Sequence, residues 1–229
     1  MGEPLLNYNN VLKAIEKKRI IHSDLALRFL QDMIYNVELL IGSAVINEMR
    51  YSETKKIPNL TDSLKTTVGK TAPLFAFSAS AGAYIAGQSA EIVEDMFKMG
   101  TNIGQAFQLL DDTSDFFENN KDIGGDLRED KKTPILILAH EKNPQLVDNY
   151  RSKGEKLTKQ DIIKFRTTFT DEILTVLSWA NSHLEAAAGN LRLIPDNINK
   201  GYIVALFTLL ELKIKEFTDK LTVDRDNGI

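Results

Sequence analysis

The sequence predicts an all-α protein built as a helical bundle. Apolar residues recur at spacings of three and four along most of the chain, whereas the alternation that is typical of strands is scarce. The six prolines fall mostly at the ends of the helical segments, where they disturb a helix least. With 229 residues, no long linker and no fixed-period repeat, the chain can bury one large core. We therefore expect a single domain over residues 1–229.

Eight segments carry the helical pattern most clearly. In the first of them, Leu30, Ile34 and Val37 lie on one face. The third is rich in Ala, Ser and Gly, which allows neighbouring helices to pack closely. We predict helices over residues 26–48, 60–69, 72–85, 91–117, 133–140, 158–169, 173–193 and 198–217. A weaker helical pattern covers residues 1–19, and the polar tail 222–229 is expected to fray.

The composition excludes several kinds of site. The chain has no Cys, which removes disulfides, thiolate-bound zinc, iron–sulfur clusters and thiol nucleophiles. Its three histidines, His22, His140 and His183, are far apart in the sequence, which argues against a His-ligated metal. A bound metal would therefore be held mainly by oxygen atoms, and Mg²⁺ and Ca²⁺ are the cations that suit such ligands.

The charge and hydropathy patterns limit the partners and the location. The net charge of −4 provides no general attraction for nucleic acid or for anionic membranes. No apolar run reaches the roughly 18–20 residues that a spanning helix needs, and the start of the chain lacks the pattern of a signal peptide. We expect a cytoplasmic protein with no transmembrane segment and no nucleic-acid partner.

The strongest chemical signal is the stretch 104–115, Gly-Gln-Ala-Phe-Gln-Leu-Leu-Asp-Asp-Thr-Ser-Asp. On a helix, Asp111 and Asp115 lie on one face, Asp112 lies beside them, and Gln108 lies one turn earlier. Because clustered carboxylates repel one another and Asp is a weak helix former, this arrangement costs helix stability. A Mg²⁺ ion shared with substrate phosphates would offset that cost. The alternative is an acidic patch at a solvated helix end, although the neighbouring residues are mainly apolar.

Basic residues flank this acidic stretch in the sequence. Lys70 and Thr71 stand at a break between two predicted helices, where a cation and a hydroxyl can contact a phosphate. Carboxylates for a metal, together with cations for an anion, are the combination that a diphosphate requires. Taken alone, either basic segment could be an ordinary charged turn or loop. The polar loop after the acidic stretch contains Lys121, Arg128, Lys131 and Lys132.

These motifs together resemble the trans-isoprenyl diphosphate synthases, the polyprenyl synthetase family that includes farnesyl and geranylgeranyl diphosphate synthases. Residues 104–115 resemble the family's second aspartate-rich motif. Residues 125–134, Gly-Asp-Leu-Arg-Glu-Asp-Lys-Lys-Thr-Pro, are similar to the loop that follows it, with Asp130 in place of the usual Gly. Gly-Lys-Thr-Ala at 69–72 is similar to the family's Lys-Thr motif. The resemblance extends from about residue 5 to the C-terminus.

The resemblance implies an isoprenoid-synthase-type bundle around a deep central cavity, assembled as a homodimer. It also implies Mg²⁺-dependent condensation of an allylic diphosphate with isopentenyl diphosphate. By match to the motifs, the metal ligands would be Asp111, Asp112 and Asp115. The catalytic residues would be Lys70, Thr71, Gln108 and Lys131, which neutralise or hydrogen-bond the departing diphosphate. The substrate-binding residues would be Phe107, which lines the isoprenoid cavity, Lys121 and Asp126.

The sequence departs from the family's pattern in its first part. The first aspartate-rich motif, the Arg pair after it and the Gly-Lys-x-Arg segment for isopentenyl diphosphate do not occur in these 229 residues. We therefore expect an N-terminally shortened fold and little condensation by this chain alone. Other interpretations stay open: a non-catalytic or regulatory subunit in a heterodimer with a complete synthase, or an unrelated helical protein with an acidic surface cluster. A terpene cyclase shares the metal chemistry, although Lys70 and Lys131 favour chain elongation.

Overall fold

The predicted all-α class is confirmed. A computed structural model describes residues 31, 33–117, 123–195 and 198–226, and all regular elements in these ranges are helical. The predicted weak helix over 1–19 and the candidate residue Lys121 lie outside the described residues. In chain order the α-helices are α1 (Leu40–Thr54), α2 (Leu60–Gly69), α3 (Ala72–Ile85), α4 (Ala90–Ser114), α5 (Gly125–Arg128), α6 (Pro134–Lys142), α7 (Pro144–Arg151), α8 (Lys159–Thr168), α9 (Thr170–Ala188) and α10 (Ile198–Asp226). A π-helical segment, Met33–Leu39, precedes α1, and short 3₁₀ turns occur at Gly154–Lys156 and Leu191–Leu193.

Several predicted helix ends were wrong. The segment predicted at 26–48 is π-helical over Met33–Leu39 and continues as α1 to Thr54, where Lys55 adopts a left-handed φ of 52°. Helix α9 ends at Ala188, before the predicted end at residue 193. Such ends depend on local capping and packing, which hydrophobic periodicity does not encode.

Two helices were absent from the prediction. The four-residue α5 lies in the loop after the acidic stretch, and α7 has a mostly polar sequence. In α7 only Val147 and Tyr150 are buried, so its apolar pattern is short. Its start is marked by Asn143, whose side chain accepts a hydrogen bond from the Leu146 N–H at 3.1 Å.

Helix α4 is the central element of the bundle and packs against α3 and α9. Its buried face carries Met96, Met99 and Ile103. The α3 backbone comes very close to α4 at Gly100, where a Cβ atom would lie only 2.4 Å from the Phe75 carbonyl oxygen. The absence of a side chain at Gly100 therefore sets the distance between these two helices.

An aromatic layer supports the C-terminal end of α4. Phe116 stacks on Phe165 with ring centroids 5.2 Å apart, and Phe165 contacts Phe169 at 4.7 Å. Arg166 donates a hydrogen bond to the Phe116 carbonyl at 3.1 Å. Because α8 supplies these contacts, the acidic stretch at the end of α4 is attached to a rigid part of the core.

Helix α10 continues beyond its predicted end at residue 217, through Asp226. The side chain of Asp224 accepts a hydrogen bond from Arg166 Nε at 2.7 Å. The part of the tail expected to fray is therefore helical as far as Asp226, and residues 227–229 lie outside the described residues. Within the described ranges, every helix is too short or too polar to cross a bilayer.

Candidate functional site

The last two turns of α4 bring the predicted acidic residues to one place. Asp112 is buried, with 5% of its surface exposed, and Gln108 one turn earlier is also buried. Asp111 is exposed and Asp115 is half-buried. The four side chains thus run from the core to the surface at the C-terminal end of α4.

A hydrogen-bond chain links the start of α3 to this cluster. The Thr71 hydroxyl donates to Gln108 Oε1, which directs the amide nitrogen of Gln108 towards the carboxylates. That nitrogen donates to Asp112 Oδ1 at 2.9 Å. The approach is close because α3 starts against Gly104, where a Cβ atom would lie 2.6 Å from the Ala72 Cα. The structure therefore brings together Thr71, Gln108 and Asp112.

Asp112 has one oxygen without a partner. Its Oδ2 atom is buried and has no hydrogen bond. Burial raises the pKa of Asp112 to about 7, and the negative charge of Asp126 adds to this effect, while Lys70 and the Gln108 hydrogen bond oppose it. A buried carboxylate oxygen without a donor is unfavourable as an anion unless a cation approaches it.

Asp115 anchors the loop that follows α4. Its Oδ1 accepts a hydrogen bond from the Gly125 N–H at 2.9 Å, and its Oδ2 accepts one from the Asp126 N–H at 3.1 Å. The chain enters α5 through Gly124, whose φ of 77° favours glycine, and a Cβ there would lie 2.2 Å from the Ile162 side chain. Burial and the charge of Asp126 raise the pKa of Asp115 to about 6, against the lowering effect of the two backbone donors. Sequence reasoning did not anticipate this anchoring role.

Lys131 and Asp126 form an ion pair inside the site. Lys131 Nζ lies 2.7 Å from Asp126 Oδ1. Desolvation alone would lower the pKa of Lys131, but the hydrogen bond and the charge of Asp126 outweigh it and raise this pKa above its ordinary value. Burial raises the pKa of Asp126, which the Lys131 hydrogen bond partly counteracts. A carboxylate repels a diphosphate. Asp126 can therefore help to bind a diphosphate only by orienting Lys131 or by holding a cation.

Lys70 is held by a partner that sequence reasoning missed. Its Nζ lies 2.7 Å from Glu48 Oε1 on α1. Lys70 is close enough to lower the pKa of both Asp112 and Asp126, so its charge acts on the acidic cluster. The pairing of Glu48 with Lys70 depends on how α1 packs beside α2, and spacing along the chain does not indicate it.

An aromatic surface adjoins the acidic cluster. Phe107 lies one turn before Asp111 on α4 and is 38% exposed. Its ring centroid is 5.5 Å from that of Phe75 on α3. The placement agrees with an apolar ligand beside the carboxylates, although the predicted central cavity stays a prediction.

The residues present fit a shared Mg²⁺ site. Among the described residues, no three His, Asp or Glu side chains are grouped so that they could hold a metal ion by themselves. Mg²⁺ does not require such a cage, because it keeps several waters and commonly binds one or two carboxylates together with phosphate oxygens. The free Oδ2 of Asp112 and the exposed carboxylate of Asp111 meet that requirement.

Comparison with known proteins shows the family to which the chain is similar. The polyprenyl synthetase family profile matches residues 12–165. The geranylgeranyl diphosphate synthase of Sulfolobus acidocaldarius is 41% identical over 108 residues, which cover 42% of this chain and 33% of that protein. Heptaprenyl diphosphate synthase component 2 of Bacillus subtilis is 26% identical over 200 residues, covering 84% of this chain and 56% of that protein.

A solved structure shows the same fold. The polyprenyl synthase of Caulobacter crescentus, complexed with calcium and isoprenyl diphosphate, superposes with a TM-score of 0.65 at 24% identity. The superposition covers 82% of this chain and 58% of that one. The chain thus spans between a third and just over half of the lengths of the two curated relatives named above. Because the family profile covers more than half of its residues, this chain belongs to the polyprenyl synthetase family.

Proposed function

We propose that this chain binds the diphosphate of an allylic isoprenoid through Mg²⁺ and contributes to its condensation with isopentenyl diphosphate. The observation that carries the proposal is the buried, unpartnered Oδ2 of Asp112, whose carboxyl is acted on by the charges of Lys70 and of Asp126, the partner of Lys131. A cation at this oxygen would offset the cost of burying its charge. Lys70 and Lys131 would supply positive charge for the diphosphate. When bound, Mg²⁺ supplies charge neutralisation for the departing diphosphate.

The protein groups have distinct tasks in this proposal. Asp111 and Asp112 hold the ion, and Gln108 fixes the orientation of Asp112. Asp115 is the third ligand of the predicted set, and it also holds the loop that carries Lys131. The ammonium groups of Lys70 and Lys131, oriented by Glu48 and Asp126, stabilise negative charge as the allylic carbon–oxygen bond breaks.

In this proposal, the aromatic pair contacts the hydrocarbon end of the allylic substrate. The rings of Phe75 and Phe107 provide apolar surface for the hydrocarbon chain. Their faces also carry partial negative charge, which favours a nearby allylic cation. Lys121 completes the proposed substrate set on sequence grounds alone.

We also propose that the chain acts as a dimer in the cytoplasm, either with itself or with a complete synthase. Large apolar side chains on α1 and α3 are exposed, which is typical of a contact surface. The relative from Bacillus subtilis bears the name of one component of a synthase, which favours the second arrangement. The large exposed apolar residues on these two helices are Leu40, Val45, Ile46, Met49, Leu74, Tyr84 and Ile85.

Removal of the two ligands tests the metal site. In Asp111→Asn combined with Asp112→Asn, we expect Mg²⁺-dependent binding of a non-hydrolysable allylic diphosphate analogue to weaken by at least about tenfold, because both proposed ligands lose their charge. Isothermal titration calorimetry with and without Mg²⁺ measures the effect. Glu94→Gln, an exposed carboxylate near the other end of α4, is the matched control and should bind as the wild type does. Unchanged binding in the double variant would refute the site.

A further inference from the structure

Two consecutive lysines precede α6, and they occupy opposite environments. Lys131 Nζ reaches into the site and pairs with Asp126 at 2.7 Å. The side chain of Lys132 is only 5% exposed and lies 2.5 Å from Asp130 Oδ1. Both side chains carry the same charge. The backbone and the contacts of this short segment therefore decide which of the two lysines lies against Asp126.

Asp130 adopts an unusual backbone conformation. Its φ is 54°, a left-handed value that non-glycine residues seldom adopt and that Asp tolerates better than most. This turn reverses the chain directly before Lys131. As a result, the Lys131 N–H donates a hydrogen bond to the Asp126 carbonyl at 2.9 Å. Such strained positions persist only where surrounding contacts hold them.

The contacts that hold the turn come from two other helices. The carboxylate of Asp130 lies between two cations, with Oδ1 2.8 Å from Arg151 Nε on α7. The Arg151 Nε and Nη2 atoms are buried without hydrogen bonds, so this contact is an ion pair that balances a buried charge. On the other side, the Ser63 hydroxyl of α2 donates to the Lys132 carbonyl at 2.5 Å.

We propose that Asp130 and Arg151 are positioning residues that hold Lys132 away from the diphosphate site and keep Lys131 in it. This inference rests on the proposed function. The carboxylate of Asp130 compensates the buried charges of Lys132 and Arg151, and the left-handed turn directs the next side chain towards Asp126. Without the carboxylate, the two buried cations repel each other, and Lys132 moves towards water.

We call the arrangement of Asp130 and Arg151 around Lys132 the clamp. Lysine labelling tests it without any ligand. In Asp130→Asn the side-chain size and the tolerance of a left-handed φ are retained, while the charge is lost. We expect Lys132 to be acetylated at least about threefold faster than in the wild type, because an unpaired buried ammonium is unstable. Peptide mass spectrometry with fragmentation resolves Lys131 from Lys132. Asp148→Asn is the matched control: Asp148 lies 3.6 Å from Arg151 and its charge also acts on Lys132, but it is largely exposed, so this variant should change the Lys132 rate much less than Asp130→Asn does.

A double-mutant cycle tests whether the clamp acts through Lys131. The probe is inorganic pyrophosphate with Mg²⁺, measured by calorimetry. We expect Asp130→Asn to weaken binding about threefold or more, and to add no further loss when Lys131→Met is already present. A purely structural role would instead produce additive losses. Asp130→Gly, which adopts the turn freely, should repeat the Asp130→Asn result if the charge matters more than the turn.

The outcomes separate this inference from the proposed function. If the wild type binds pyrophosphate with Mg²⁺ but Lys132 labelling is unchanged in Asp130→Asn, or the losses are additive, the clamp is refuted and the proposed function stands. If the wild type does not bind, the proposed function fails, and with it the assignment of Lys131 to a diphosphate. Faster Lys132 labelling together with non-additive losses supports the clamp.

Discussion

Asp112→Asn is expected to raise the melting temperature of the ion-free protein at pH 8 and to remove its stabilisation by Mg²⁺ with pyrophosphate. The folded protein raises the pKa of Asp112 from 3.8 to about 7, mainly through burial. The folded state therefore binds a proton more tightly than the unfolded state does. As the pH rises from about 4 to about 7, the free energy of unfolding falls, because the carboxylate ionises inside the protein.

The amide of the Asn variant does not ionise, so this loss disappears. We expect a gain on the order of 1–3 kcal/mol at pH 8, which corresponds to about 2–4 °C per kcal/mol for a chain of this size. At about pH 3, below the ordinary Asp pKa of 3.8, the Asp112 carboxyl is mostly neutral in both states, so the variant and the wild type should differ little. Differential scanning fluorimetry in the presence of a chelator measures both values.

Asp111→Asn is the matched control for this experiment. Asp111 lies next to Asp112 in the sequence but is exposed, so its replacement should leave the ion-free melting temperature almost unchanged. It should nevertheless reduce the stabilisation by Mg²⁺ with pyrophosphate. Destabilisation of Asp112→Asn at pH 8, or stabilisation by Mg²⁺ equal to that of the wild type, would contradict the placement of Asp112 as a buried ligand.

Gly100→Ala is expected to lower the free energy of unfolding by about 1–3 kcal/mol. The added Cβ would lie 2.4 Å from the Phe75 carbonyl oxygen and 2.8 Å from the Ala76 Cα, so it meets backbone rather than a movable side chain. Helices α3 and α4 would have to separate. Because Thr71 stands at the start of α3, this movement would also stretch its hydrogen bond to Gln108. Urea unfolding followed by circular dichroism measures the stability.

Gly82→Ala makes the same chemical change where there is room. Gly82 lies in α3, and a Cβ atom there would have no atom within 4 Å. Ala favours a helix over Gly, so this variant should be more stable by about 0.5–1 kcal/mol. Equal effects of the two substitutions would show that the close approach of α3 to α4 at Gly100 does not limit stability.

The sequence allowed a large part of this site to be predicted, because helical spacing is local. Asp111, Asp112 and Gln108 are neighbours on any helix, and the structure places them together. The motif pattern assigned Thr71 and Gln108 to the same site, but their contact with each other was not predicted from the sequence. The Glu48–Lys70 pair and the backbone donors to Asp115 were not predicted either, because they join residues from separate elements.

The sequence by itself determined the helical class, the absence of Cys and the position of the acidic cluster. These depend on periodicity and on residue type, which are properties of the chain alone. Tertiary structure decided that Asp112 is buried with a free oxygen and that Asp115 holds a loop. It also decided that Lys131 pairs with Asp126, whereas Lys132 is buried against Asp130. The reason is that burial, pKa and side-chain direction depend on which elements pack together, and spacing along the chain does not specify that.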